Sequence, residues 1–192
     1  MVSLTACSSP AVRYHTLAAP ASEALSYGLP APFLINVLPV GVPPQLDQSQ
    51  LVVRQGASDA MVLDNDRWLS SFGDEIRSAL SADLSTRLAT RDVSGLANRT
   101  DALPILTIHL QVRRFDVWPG QFVKFAADWR LSRLSGDRRI GLTCHSQFTE
   151  LALGEDATML ASQRQVITRL AAQIATQARN WVRDNRDVCA AP

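Results

Sequence analysis

Four residues near the start of the chain carry its clearest chemical signature. Leu4-Thr5-Ala6-Cys7 places a large aliphatic and two small residues directly before a thiol. This is the order of a bacterial lipobox. There the cysteine sulfur is alkylated by a diacylglyceryl group, and the chain is cut just before it, leaving Cys7 as the mature N-terminus. A soft nucleophile takes the lipid, and small residues at Thr5 and Ala6 let a peptidase reach the bond. A complete export signal has a basic segment and roughly 7–15 apolar residues before the cut. Only Met1-Val2-Ser3 precede Leu4 here, so residues 1–7 read as a truncated signal and lipobox. Ser8 follows the cysteine where inner-membrane retention commonly uses Asp, which favours the outer membrane.

The residues after Cys7 have the composition of a leash. Ser8-Ser9-Pro10-Ala11 is small and polar, and 18–32 is rich in Ala, Pro and Ser. Residues 8–32 therefore read as a flexible tether carrying one short strand, Val12 to Leu17. Fully extended, the ~25 residues from Cys7 to Pro32 span at most roughly 80–90 Å. Residues 33–187 then form one domain, with 188–192 as a tail. The hydrophobic fraction of 46% supports a real core at this length. A net charge of +1 implies no bulk attraction to nucleic acid, and no apolar run is long enough to span a bilayer.

Chemistry elsewhere is sparse. His15, His109 and His145 stand at no metal-ligand spacing and read as solvated strand histidines. No nucleophile elbow, phosphate loop or dinucleotide fingerprint occurs, so no cofactor is implied. Asp64, Asp66, Asp74 and Glu75 crowd a helix start, which capping and the helix dipole explain. Cys144 is either a core thiol or half of a disulfide with Cys189. Trp118-Pro119-Gly120-Gln121-Phe122 puts two aromatics across a turn. Trp118 and Phe122 either fold back onto the body or form an exposed partner contact.

The elements that position these groups follow from periodicity. Phe33–Leu38 is a short buried strand ended by the Pro39–Pro44 loop. Leu51–Gln55 and Ala60–Leu63 form a hairpin. From Arg67 to about Thr90, Leu69, Phe72, Ile76, Leu80, Leu84 and Leu88 recur at helical spacing. Trp68 reads as a core side chain beside that stripe. Leu106 to Val112 alternate inward, then the phase switches at Arg113-Arg114, which one bulged residue would explain. Val123–Leu131 and Ile140–Phe148 continue an antiparallel meander. A closing helix runs from about Glu155 to Arg186, with Gln163 as one polar interruption of its apolar stripe. The fold class is α/β: a mixed sheet of about five or six strands packed by two long helices.

Leu38-Pro39-Val40-Gly41-Val42-Pro43-Pro44-Gln45-Leu46-Asp47, Gln50-Leu51-Val52-Val53-Arg54 and Arg67-Trp68 resemble the ABC-type transport auxiliary lipoproteins. These are the paraquat-inducible protein C-like components of envelope transport systems. The lipobox, Arg13–Leu17 and the closing helix match in order. The resemblance implies an anticodon-binding-like α/β fold. It also implies a periplasmic, outer-membrane-anchored subunit of a lipid-transport machine. Implied partners are a mammalian-cell-entry-type subunit that bridges the two membranes and further copies of the chain in a homo-oligomeric ring. It supplies no catalytic residue; only Cys7 maps onto a family functional position. The alternatives are a lipoprotein regulating a cell-wall synthase and an envelope enzyme.

Overall fold

Three strands of 14 residues each dominate the molecule: β5 (Ile105–Trp118), β6 (Phe122–Ser135) and β7 (Arg138–Leu151). Each alternates a buried apolar face with a polar one, the pattern of a sheet covered on one side. The computed structural model describes residues 11–18, 29–96, 103–154, 156–184 and 188–189. Cys7, with the whole lipobox, lies outside the described residues, as does 19–28 of the expected tether.

The other elements are β1 (Arg13–His15), β2 (Leu34–Val37), β3 (Gln50–Arg54), β4 (Ala60–Trp68), α1 (Phe72–Leu88) and α2 (Asp156–Asp184). The meander holds in sequence order, with β2 added parallel to β5, so one sheet runs β2-β5-β6-β7. The expected bulge is present: the β5–β6 register shifts between Val112 and Arg114. Arg113 is the extra residue, and Phe115 and Val117 return to the buried face. Helix α2 lies on β6 and β7, and α1 packs beside it toward β2. Between these layers Phe125, Trp129, Ile76, Leu80, Leu170, Ile174 and Trp181 are almost wholly buried. Trp68 belongs to the same core and stacks on Phe72 at 5.2 Å between ring centroids.

The structure departs from expectation in three places. The strands form two sheets, of three and four strands, where a single sheet of five or six was expected. The second sheet runs β1-β4-β3. Strand periodicity identifies strands but not which edges meet. Here the Pro-rich loop ends β2 early; after it the Leu38 amide donates to the Ile108 carbonyl and Gly41 bridges Gln111 of β5. A Cβ at Gly41 would overlap the end of the Gln111 side chain, which would have to swing aside. Beyond Val112 no described strand pairs with that edge of β5, and the β3–β4 hairpin stays separate.

The second departure is at the first helix. Strand β4 continues through Asp64–Trp68, where a helix start was expected, and α1 begins at Phe72. Parallel pairing with β1 extends β4: Arg13 faces Asp66 and His15 faces Trp68. Ser71 is the true N-cap, its Oγ accepting from the Asp74 amide at 3.3 Å. Leu69, expected on the helical stripe, is instead 69% exposed in the connection.

Third, the strand inside the expected tether is bound firmly to the body. Besides pairing with β4, its end is held by Glu75 and Arg164, and Leu17 is 1% exposed. The Leu17 amide donates to Glu75 Oε2 at 2.9 Å, and Arg164 Nε donates to the Leu17 carbonyl at 3.1 Å.

Candidate docking surface and anchor clamp

Glu75 sits in the first turn of α1, where a carboxylate is favoured by the helix dipole. It is 3% exposed, so its charge needs compensation. Four donors supply it. Thr16 Oγ1 and the Leu17 amide reach Oε2 at 2.7 and 2.9 Å. The Ser70 hydroxyl and amide reach Oε1 at 2.7 and 3.0 Å. The carboxylate thus ties the chain emerging from β1 to the loop before α1. Its first-turn position allows the helix-dipole role expected of it, but its hydrogen bonds also reach residues 58 and 59 positions away.

The histidines form no metal set: among the described residues no cluster of three or more His, Cys, Asp or Glu could hold an ion. His15 and Arg13 both bind Asp66, at 2.8 and 2.9 Å, joining β1 to β4. Burial opposes ionisation of Asp66, but hydrogen bonds from Arg13 and His15 hold its carboxyl below its ordinary range. His145 bonds Asp128 at 2.8 Å on the open face of the long sheet, and Arg113 bonds the same carboxylate at 2.7 Å. Those two hydrogen bonds hold Asp128 below its ordinary range. The pair lies on an exposed sheet face, with the His145 side chain 56% exposed. His109 is exposed on the same face.

Trp118 and Phe122 face each other across the end of the β5–β6 hairpin. They alternate with buried Val117 and Val123, so both project from the face opposite the helices. Their rings lie 5.7 Å apart, and both residues are half-buried. Lys124 Nζ stands 4.9 Å from the Phe122 centroid. Leu151 on β7 is register-paired with Phe122 and is 67% exposed. Three strands therefore present one apolar row, Trp118-Phe122-Leu151, at the sheet's end.

Cys144 and Cys189 are joined by a disulfide with a Cα separation of 5.8 Å. It fastens the segment after α2 to β7, helped by Gln177 Nε2 donating to the Val188 carbonyl at 2.8 Å. Closing a span of 45 residues restricts the unfolded chain by about 4 kcal/mol in the loop-entropy account. Reduction with dithiothreitol, or Cys189→Ser, should therefore lower unfolding free energy by about 2–4 kcal/mol in denaturant titrations. A titration indifferent to reductant would mean the bond does not form in solution.

No curated protein matches the chain. It is similar in fold to a crystal structure of an uncharacterised protein: TM-score 0.63 and 18% identity, covering 88% of this chain and 99% of that one. A Xanthomonas campestris protein is similar too, with TM-score 0.53, 14% identity, and 91% and 96% coverage. At these identities the likeness concerns the fold alone. A family model, ABC-type transport auxiliary lipoprotein component, matches residues 15–175, from the end of β1 through the meander and into α2. The chain belongs to the family of ABC-type transport auxiliary lipoprotein components.

Proposed function

We propose that the protein is a lipid-anchored periplasmic auxiliary subunit of an ABC-type envelope lipid-transport system of the mammalian-cell-entry type. It works by docking and assembly at the periplasmic face of the outer membrane and makes no bonds. The family match over residues 15–175, with Leu4-Thr5-Ala6-Cys7 just before it, carries this reading. Its partners are the membrane-bridging periplasmic subunit and further copies of itself. The Cys144–Cys189 disulfide suits an oxidising compartment.

The clamp on β1 gives the anchor a mechanical meaning. With Arg13–Leu17 held by β4, Glu75 and Arg164, Cys7 stands six positions before the first held residue. Five or six residues extend at most about 20 Å. The domain is then held close against the lipid surface, with its β1 end toward the anchor. Force on the acyl chains passes through β1 into the two helices.

The test is affinity isolation of the full-length protein from crosslinked cell envelopes. Recovery of a permease and a bridging subunit supports the reading; recovery of a cell-wall synthase in their place reassigns the protein. In the same experiment Trp118→Ser with Phe122→Ser should weaken subunit or partner recovery by roughly tenfold or more, the scale of two aromatic anchors. Both side chains project from the outer face, so thermal unfolding should change little. Unchanged recovery removes the hairpin row as a contact.

A further inference from the structure

The two sheets leave a groove between them. On one side is the outer edge of β3, which pairs only with β4. On the other is β5 beyond Val112, where no described residue pairs with the edge that β2 and Gly41 occupy earlier in the strand. The space between has a volume of about 510 Å³. Val52, Val53, Phe115 and Val117 give it apolar walls, and the Pro43–Gln48 turn closes one side.

Its charge is one-sided. Arg54, Arg113 and Arg114 line it with one carboxylate, Asp116; Arg113 is paired outside the groove with Asp128, at 2.7 Å, leaving Arg54 and Arg114 to Asp116. Arg54 and Arg114 share that carboxylate, at 3.0 and 3.3 Å. Below the groove a cavity of about 10 Å³ lies between the same two strands, with Gln163 of α2 in its lining. Gln163 is 2% exposed, and its Nε2 has no hydrogen-bond partner among the described residues. A buried amide donor without an acceptor is uncommon in a folded protein and calls for an explanation.

We infer that this groove binds an extended, acidic peptide segment of a partner protein, added as a strand against the open edge of β5. Two classes of ligand suit apolar walls and arginines, and the backbone decides between them. An acyl chain laid in the groove would cover unpaired strand-edge groups and leave them unsatisfied. A peptide strand pairs those groups while its alternate side chains enter the walls. Carboxylates on the peptide relieve the shortage of anions around Arg54 and Arg114. This names the chemistry of a partner for the docking role proposed above and rests on that reading.

Fluorescence anisotropy on the purified full chain tests it, with a fluorescein-labelled octapeptide of alternating Glu and Val. Three comparison probes complete the set: the Lys/Val counterpart, the Glu/Val peptide N-methylated on alternate amides, and oleate. The Glu/Val peptide should bind saturably, with both peptide controls at least about tenfold weaker, because one lacks charge complementarity and the other the strand pairing. Arg54→Gln with Arg114→Gln should weaken binding of the Glu/Val peptide several-fold without loss of the folded state. Equal binding of the N-methylated or Lys/Val peptide overturns the inference, as does oleate binding without peptide binding. The N-methylated comparison uses the wild-type chain, so it stands even if a variant fails to fold. A chain that recovers its transport partners but ignores every peptide loses the groove proposal only. One that binds the peptide but recovers no transport partner loses the docking reading instead.

Discussion

Replacing Cys7 with Ser in the full-length gene product, expressed with its export signal, should move nearly all of the protein from the membrane fraction to the soluble fraction. Buried methylenes contribute about 0.8 kcal/mol each, and one short acyl chain alone binds only reversibly. Two or three chains on one cysteine hold a protein stably. The chain's net charge is +1, and among the described residues no helix is long and apolar enough to cross a membrane. The Trp118-Phe122-Leu151 row is small beside several acyl chains. The measurement is fractionation of envelopes, with mass spectrometry of the wild-type N-terminal peptide. Retention of the serine variant in the membrane fraction, or an unmodified thiol at Cys7, would defeat the anchor.

Glu75→Ala should destabilise the domain by about 2–4 kcal/mol, a large part of the 5–15 kcal/mol that holds an ordinary domain folded. Truncation strands the amides of Leu17 and Ser70, which donate to Glu75 at 2.9 and 3.0 Å. The Thr16 and Ser70 hydroxyls can turn toward water, so the backbone donors set the size of the loss. Relief of the buried charge offsets part of it. Glu75→Gln should fall between the two, since one carboxamide oxygen still accepts while its NH₂ opposes donors. Denaturant titration gives the free energy. Hydrogen exchange at Leu17 gives the location, since the variant should open there before the core does. A loss under about 1 kcal/mol would show that Arg164 and β-pairing suffice to hold β1. On the proposed anchoring at Cys7, releasing Arg13–Leu17 would lengthen the leash between domain and lipid.

These two experiments divide along what is local and what is not. Cys7 is a residue whose meaning comes from its immediate neighbours, and it lies outside the described residues; its chemistry is read from four letters. The bulge at Arg113 was legible for a similar reason. Phe115 and Val117 change phase relative to Leu106–Val112, and a strand cannot bury both sets without an extra residue. The meander and both helices follow from period-two and helical spacing over long stretches, where the pattern outweighs any single residue.

Asp64-Asn65-Asp66 misled because the same residues suit a helix cap and a strand whose carboxylate meets Arg13 and His15. The partner lies about fifty positions away, and pairing with it overrode local propensity. Gln163 showed in the sequence as a break in an apolar stripe, but not as an amide left without an acceptor beneath a groove. The lipobox pattern around Cys7, the strands of the meander and the apolar faces of the helices could be read along the chain, because each depends on sequence neighbours. Only the tertiary structure decided the division into two sheets, the Glu75 clamp, the Trp118-Phe122-Leu151 row and the arginine-lined groove. Those depend on which edges meet and which donors find acceptors across long separations, and the energies that choose among them exist only once the chain is closed.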